Sequence, residues 1–182
     1  MDKSQDCFVT KHPSLGEGLG GPSDSFVTKH PSLGEGLGGP EPSKQRKLDE
    51  RYLRMARIWA ENSYCQRRQV GALVVKDKMI ISDGYNGTPS GFENICEDEQ
   101  GVTKPYVLHA EANAITKLAR SGNNSDGATI YITASPCIEC AKLIIQAGIK
   151  RVVYGEQYRL DDGIRLLERA GIEVVLLEMS EK

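Results

Sequence analysis

The first clear hydrophobic pattern in the chain has helical spacing. Leu48, Tyr52 and Ala56 recur at intervals of four residues, and Trp59 continues the apolar stripe. Apolar side chains at this spacing lie on one face of a helix. The pattern therefore predicts an amphipathic helix from about Leu48 to Asn62.

Two short apolar runs follow this helix, Val70–Lys76 and Met79–Asp83. Only Asp77 and Lys78 separate them, which is typical of a β-hairpin. The next segment, residues 84–108, has no regular pattern and is interrupted by glycines and prolines. A loop of that length in a compact domain is either functional or disordered.

The second half of the chain alternates between helical and strand patterns. The predicted elements are a helix over 109–120, a strand over 128–133, a helix over 136–147, a strand over 151–154, a helix over 162–170 and a strand over 173–177. For the helix over 136–147, Ser135 is the predicted N-cap and Pro136 the first helical residue. Strands that alternate with helices favour parallel pairing. We therefore predict the α/β class, with a mixed five-stranded sheet and helices on both faces.

The N-terminal region has a different composition. The segment Phe8–Pro22 recurs without change as Phe26–Pro40, and both copies are rich in glycine and proline. Such sequence cannot bury enough apolar area to offset the entropy lost on ordering. We predict a disordered tail over residues 1–43 and one catalytic domain over residues 44–182.

Charge and hydropathy exclude some partners. Residues 41–182 contain 20 basic and 20 acidic residues, and binding to long nucleic acid needs a basic excess to neutralise phosphates. We therefore expect no long nucleic acid as partner. No apolar run approaches the roughly 18 residues of a membrane helix, so we also expect no membrane partner.

The chain has five cysteines, Cys7, Cys65, Cys96, Cys137 and Cys140. An odd number, two of which are candidate metal ligands, is more typical of a reducing compartment than of a disulfide framework. We therefore expect a cytoplasmic protein.

The strongest candidate chemistry combines His109 with Cys137 and Cys140, at the predicted starts of two helices. One imidazole and two thiolates suit zinc and leave its fourth tetrahedral position open, as in a catalytic site. Glu111, two residues after His109, is not a ligand in this arrangement and is the candidate general base and acid. Ala110 is small enough to let a substrate approach the metal.

Two other interpretations of the cysteine pair are a redox-active Cys-x-x-Cys and half of a zinc ribbon. Neither accounts for a histidine and a glutamate at the start of another helix, nor for the missing second cysteine pair. We therefore predict one catalytic zinc.

These motifs resemble those of deoxycytidylate (dCMP) deaminases, within the cytidine deaminase superfamily. The metal motif belongs to the whole superfamily. The segments that resemble dCMP deaminases in particular are Cys65–Ala72 (CQRRQVGA), Gly84–Gly91 (GYNGTPSG), His109–Ile115 (HAEANAI) and Ala147–Tyr154 (AGIKRVVY). Of these, the Gly84–Gly87 loop and the Arg67–Ala72 run narrow the resemblance to that family. The resemblance covers residues 48–178 and implies the three-layer cytidine deaminase fold. It also implies zinc-dependent hydrolysis of dCMP to dUMP and ammonia, which feeds dTMP synthesis, with Glu111 carrying the protons.

The resemblance further implies nucleotide regulation and assembly. Family members bind dCTP as activator and dTTP as inhibitor at a subunit interface, with Mg²⁺ on the phosphates, and many are hexamers. The segment matching their effector loop is Gly84, Tyr85, Asn86 and Gly87, with Asn86 the expected contact to base or sugar. The alternative for Asn86 and Gly87 is a plain type I′ turn.

Contacts to the substrate phosphate are also implied by the resemblance. In the family, a tyrosine that matches Tyr158 contacts this phosphate. In some members an arginine of a neighbouring subunit, which matches Arg120, contacts it as well. Arg67 and Arg68 are a further possibility, with plain solvation as an equal alternative. Some members hold a second, structural zinc through cysteines matching Cys65 and Cys96 and two histidines. Because the histidines are missing here, we predict one zinc per chain.

Three other functions share parts of this pattern. A tRNA or polynucleotide deaminase would have the same metal motif, but needs a basic face and aromatic platforms. A catalytically idle nucleotide sensor would need neither Glu111 nor a complete ligand set. A purely structural zinc protein would close the fourth position.

Overall fold

The computed structural model describes residues 43–158 and 160–178. Of the predicted tail only Ser43 falls within this part, so the domain boundary stays a prediction. The element order along the described chain is α-β-β-α-β-α-β-α-β, which confirms the predicted order.

The sheet is mixed, as predicted. Its strands are β1 (Gly71–Lys76), β2 (Met79–Tyr85), β3 (Thr129–Ile132), β4 (Arg151–Tyr154) and β5 (Glu173–Leu176). Their order across the sheet is β2-β1-β3-β4-β5. β1 is antiparallel to both β2 and β3, whereas β3, β4 and β5 are parallel. Asp77 and Lys78 join β1 to β2 with positive φ angles of 51° and 63°, as a type I′ hairpin turn requires.

Helices cover both faces of the sheet. They are α1 (Lys44–Ala60), α2 (Ala110–Leu118), α3 (Ile138–Gln146) and α4 (Asp162–Arg169). Alternate residues of each strand point to opposite faces, so Ala72 and Val74 pack in the core that includes residues of α2, α3 and α4, while Leu73 and Val75 pack against α1. The result is a three-layer α/β/α domain. No helix within the described ranges is both long and apolar enough to cross a membrane.

Two predicted helix starts are wrong. α1 begins at Lys44 rather than near Leu48, because the Ser43 hydroxyl accepts a hydrogen bond from the Arg46 N–H and caps the helix earlier. α3 begins at Ile138, with Cys137 as its N-cap. Ser135 is therefore not the cap, because its hydroxyl accepts a hydrogen bond from the Tyr158 N–H at 2.7 Å instead.

Candidate metal and active site

Three potential metal ligands converge at the N-termini of α2 and α3. His109 is the N-cap of α2 and Cys137 the N-cap of α3, and Cys140 lies in the first turn of α3. Neither N-cap side chain makes a capping hydrogen bond. The Nδ1 atom of His109 lies 3.4 Å from the Sγ atom of each cysteine. These side chains are therefore directed at a common point.

The spacing of these atoms fits zinc. Zn–N and Zn–S bonds of about 2.05 and 2.3 Å at a tetrahedral angle place the nitrogen and a sulfur about 3.6 Å apart, close to the 3.4 Å found here. The ligand atoms all lie within 4.8 Å of one another, and they form the only group of three or more metal-ligating side chains found within residues 43–158 and 160–178. The donor set, one imidazole and two thiols, fits a site with one open position.

One of the two thiols is held as the thiolate that a metal needs. The pKa of Cys137 is lowered to about 3, first by the hydrogen bond from the Cys140 thiol and then by His109. The pKa of Cys140 is raised, because its proton is held in the bond to Cys137 and because it is buried. The hydrogen bond to Cys137 also raises the pKa of His109. The two thiols thus share a proton that a metal must displace.

Glu111 lies beside this cluster and is 4% exposed. Burial raises the pKa of its carboxyl to about 7, against the opposing effects of its backbone hydrogen bond and the charge of His109. Within a regular helix, residues two positions apart point in different directions. Glu111 can share the site with His109 because His109 is the extended N-cap and not part of the helix.

Gly84 determines how closely α2 approaches the sheet. A Cβ atom on Gly84 would overlap the carbonyl oxygen of Ala110 and lie 2.6 Å from the backbone nitrogen of Ala114. The Nδ2 group of Asn113 also donates to the carbonyl oxygen of Tyr85 at 2.9 Å. The end of β2 therefore holds the helix that begins at the metal site.

A cavity of about 510 Å³ lies over the metal-ligand cluster, a size that accommodates small-molecule ligands. Four of the predicted site residues besides the ligands line it, namely Glu111, Ala110, Asn86 and Tyr158. The complete lining is Cys65, Arg67, Arg68, Val70, Asn86, Glu97, Thr103, Val107, His109, Ala110, Glu111, Ala134, Ser135, Cys137 and Tyr158. The structure thus brings together the candidate ligands, the acid and a pocket.

The Asn86 side chain makes hydrogen bonds to the backbone of the cavity wall. Its Nδ2 group donates to the carbonyl oxygen of Arg68 at 2.8 Å, and its Oδ1 atom accepts from the Val70 N–H at 2.8 Å. Neither Asn86 nor Gly87 has a positive φ, so the type I′ alternative is wrong. Gly84, Tyr85 and Gly87 do not line the cavity, and their effector role stays a prediction.

Arg120 lies in the turn after α2, is exposed and is not part of the lining of this cavity in its own chain. Its predicted contact to a neighbouring subunit's substrate stays a prediction.

Sequence reasoning missed several cavity residues. Ser135 is buried and fixes the loop after β4, because it accepts from the Tyr158 N–H while its own N–H donates to the carbonyl oxygen of Glu156. Glu97 is also buried, and its carboxylate accepts from the N–H groups of Gln66 and Arg67 at 3.1 and 3.2 Å. These contacts join distant segments, and no local pattern indicates them.

Cys65 and Cys96 are joined by a disulfide. The cysteine count did not predict this bond. The resemblance did place the two cysteines together, as residues that match ligands of a structural zinc in some family members. The disulfide links the cavity wall at Cys65 to the long loop that follows β2.

Comparisons with known proteins agree with this geometry. Residues 46–156 match the family model described as the cytidine and deoxycytidylate deaminase zinc-binding region. The chain is 41% identical over 135 residues to ComE operon protein 2 of Bacillus subtilis (strain 168), covering 71% of each chain. It is 38% identical over 168 residues to the deoxycytidylate deaminase of Enterobacteria phage T4, covering 67% of this chain and 86% of the phage protein.

Solved structures give the same result. The crystal structure of dCMP deaminase from the cyanophage S-TIM5, in complex with dCMP and dUMP, is 46% identical, with a TM-score of 0.71. The similarity covers 75% of this chain and 100% of the phage chain.

Proposed function

The chain belongs to the cytidine and deoxycytidylate deaminase family, and we propose that it catalyses the zinc-dependent hydrolytic deamination of dCMP to dUMP and ammonia. One observation carries the proposal: His109, Cys137 and Cys140 converge beside the buried Glu111 at a cavity of nucleotide size. The phage T4 relative is named for this activity, and the S-TIM5 structure contains its substrate and product.

His109, Cys137 and Cys140 would hold the zinc ion. When bound there, zinc supplies a polarised water whose pKa falls to about 7, so that a nucleophile is available at neutral pH. Ala110 is fully buried and lines the cavity between the histidine and the acid. Its small side chain leaves room for the edge of a cytosine ring.

Glu111 would carry both protons of the reaction. In hydrolysis the water oxygen bonds to C4 of the base, and the bond from C4 to the exocyclic nitrogen breaks. Glu111 takes a proton from the water and passes it to N3, then delivers the second proton to the leaving nitrogen, which departs as ammonia. Its burial beside the ligands, without being one of them, supports this role.

The regulatory part of the proposal rests on the resemblance. We infer that dCTP activates and dTTP inhibits the enzyme, with Mg²⁺ on the effector phosphates, through the segment Gly84–Gly87. The dUMP product would feed dTMP synthesis. The cytoplasm stays the expected location, although the Cys65–Cys96 disulfide weakens the argument from the cysteine count. The balanced charge of residues 41–182 supports a nucleotide substrate over a long nucleic acid.

We also infer that the chain assembles as a homo-oligomer, with a hexamer as the form implied by the resemblance. A groove of about 330 Å³ on the α1 side supports an interface, because apolar side chains line it. They are Met55, Ile58, Trp59, Leu73 and Ile80, beside Asp83. Met55, Ile58, Trp59 and Ile80 are each about 40–60% exposed, and contiguous exposed apolar surface is typical of interaction sites.

The test is ammonia release by the zinc-loaded protein with dCMP, CMP and deoxycytidine in parallel, each with and without dCTP and Mg²⁺. We expect turnover of dCMP that dCTP increases. Glu111→Gln should lower kcat by about 100- to 10,000-fold, in line with loss of a general acid and base, and should still bind zinc. Absence of dCMP turnover would refute the activity. Full activity in Glu111→Gln would refute the role of the glutamate.

A further inference from the structure

The N-terminal end of α4 packs directly against the backbone of a metal ligand. Gly163, the second residue of α4, is buried. A Cβ atom on Gly163 would overlap the carbonyl oxygen of Pro136 and would lie 2.8 and 2.9 Å from the carbonyl carbon and oxygen of Cys137. Because all of these are backbone atoms, no side-chain rotation could relieve the contact. Only a residue without a side chain lets α4 lie this close to Cys137.

Space, and not backbone conformation, is the reason for a glycine at this position. The φ angle of Gly163 is not positive, so an alanine could adopt the same helical backbone. Alanine is also the more favourable residue within a helix. The glycine therefore costs helical stability, and its close contact with Pro136 and Cys137 accounts for its presence.

The two sides of this contact are both anchored. On the α4 side, Leu167 is completely buried in the core cluster that includes residues of α3. On the other side, the Ser135 hydroxyl accepts from the Tyr158 N–H, and the Ser135 N–H donates to the carbonyl oxygen of Glu156. Pro136, which follows Ser135, is also fully buried. An extra atom between the two sides would therefore displace the ligand backbone or open the core under α4.

The backbone of Cys137 in turn determines where both thiols lie. Cys137 is the N-cap of α3 and its side chain makes no capping hydrogen bond. Its carbonyl oxygen accepts from the Ala141 N–H at 2.9 Å, in the first turn of α3 that also contains Cys140. A shift of this carbonyl group would therefore move the Sγ atoms of both cysteines relative to the Nδ1 atom of His109, which lies 3.4 Å from each.

We propose that Gly163 is a positioning residue of the metal site, which places the Cys137 backbone so that both thiols and the His109 imidazole reach bonding distance from one ion. This inference rests on the proposed function, in which these side chains bind zinc. Bonds to a metal tolerate deviations of only about 0.2 Å, so a small backbone shift matters. Gly163 does not line the cavity and acts on the reaction only through the ligands.

The test compares Gly163→Ala with Gly71→Ala in the full chain. Gly71 is the matched control, because a Cβ atom there would also overlap a backbone carbonyl oxygen, that of Ala56, but between β1 and α1. Both variants should lose stability in urea unfolding. Only Gly163→Ala should lower zinc affinity, measured by competition with a chromophoric chelator, by about 10- to 100-fold, as for residues that orient metal ligands.

Cobalt(II) in place of zinc reports the ligand geometry without any turnover. The wild-type protein and Gly71→Ala should show the same visible and thiolate-to-cobalt charge-transfer absorption, whereas Gly163→Ala should show altered band positions and intensities. The proposal is overturned if Gly163→Ala keeps the wild-type zinc affinity and cobalt spectrum, or if the two variants change both equally. If the wild-type protein binds neither metal, the proposed function itself fails.

The wild-type protein gives a further readout that needs no folded variant. If α4 positions Cys137, linkage requires that zinc bound by Cys137 also stabilises the start of α4. The Arg165 N–H donates to the carbonyl oxygen of Asp161 at 2.9 Å in this first turn. Its hydrogen exchange should slow on addition of zinc by more than that of the α1 amides. No slowing in α4, or the same slowing in α1, would refute the coupling.

Discussion

At the scale of single residues, two metal ligands occupy N-cap positions but make no capping hydrogen bond, so their side chains are available to the metal. His109 and Cys137 both occupy N-cap positions with extended backbone, and neither caps its helix. The positive end of each helix dipole then faces the metal position and favours thiolate over thiol. The N-cap position thus orients both ligands and, at Cys137, favours the thiolate.

Removal of one thiol tests this arrangement. Cys137→Ser removes a metal ligand. Removal of a residue that only hydrogen-bonds to a ligand lowers metal affinity by roughly 10- to 100-fold, and we expect a larger loss of zinc affinity here. Zinc per chain, measured by metal analysis after dialysis against a weak chelator, should fall from about one to near zero. Glu139→Gln is the control, because Glu139 lies between the cysteines but is exposed and pairs with Lys142. Retention of a full zinc complement by Cys137→Ser would contradict the ligand assignment.

At the scale of secondary-structure elements, the close contact between β2 and α2 positions Glu111. Gly84 provides that contact, because any side chain there would meet the backbone of α2. The resemblance assigns Gly84 to effector binding, which stays a prediction, and the structure shows that this glycine also has a packing role. A residue of a family motif can thus act by allowing close packing of two elements.

Gly84→Ala should therefore destabilise the domain and impair catalysis together. Overpacking of a close contact costs about 1–3 kcal/mol, and α2 must shift to relieve it. Gly87→Ala is the matched control from the same segment, since a Cβ there would meet only the Tyr85 ring, at 3.9 Å. Urea unfolding and dCMP turnover should both change for Gly84→Ala, while Gly87→Ala keeps wild-type stability. Equal stabilities for the two variants would show that the contact is unimportant.

The elements themselves could be predicted from periodicity, but some of their ends could not. The strand at Arg151–Tyr154 was predicted correctly to the residue, because its apolar run has clear limits. The start of α3 was predicted wrongly, because Ser135 and Pro136 look locally like a cap and a first helical residue. The loop containing Tyr158 takes the Ser135 hydroxyl instead, and this competing contact comes from 23 residues away along the chain.

Contacts between residues that are distant along the chain also limited prediction of the site. The metal ligands and Glu111 lie in two short motifs with characteristic spacing, so the sequence indicated them. On the opposite wall of the cavity the resemblance indicated Asn86 and Arg68, but not Glu97, which meets them only in three dimensions. The order of the strands across the sheet, which brings these segments together, has no local signal.

At the scale of the whole molecule, a buried ion pair connects the layers on the side away from the active site. Asp49 of α1 is 4% exposed and accepts two hydrogen bonds from Arg151 of β4, at 2.8 and 2.9 Å. It also accepts from the Tyr131 hydroxyl of β3 at 2.8 Å, and Arg151 bonds Glu173 of β5 at 3.0 Å. One carboxylate thus ties α1 to two strands of the sheet.

This network makes the stability of the fold dependent on pH. Burial alone would raise the pKa of Asp49, but the hydrogen bonds from Arg151, Gln45 and Tyr131 and the charge of Arg151 outweigh it, so the pKa is lowered. A carboxyl with a lowered folded-state pKa stabilises the fold fully above its ordinary pKa of about 3.9. That contribution is lost as the pH falls through the folded-state value.

Asp49→Asn should therefore cost about 2–3 kcal/mol of unfolding free energy at pH 7, the value of charged hydrogen bonds in a buried site. The difference from wild type should shrink as the pH is lowered below about 4, because the wild-type carboxyl then becomes protonated as well. Urea unfolding from pH 7 to pH 3 measures both effects. Glu173→Gln is the control, because Glu173 bonds the same arginine but its side chain is 62% exposed, and it should change stability by less than about 1 kcal/mol. A difference between wild type and Asp49→Asn that stayed constant down to pH 3 would mean that the charge of Asp49 does not stabilise the domain.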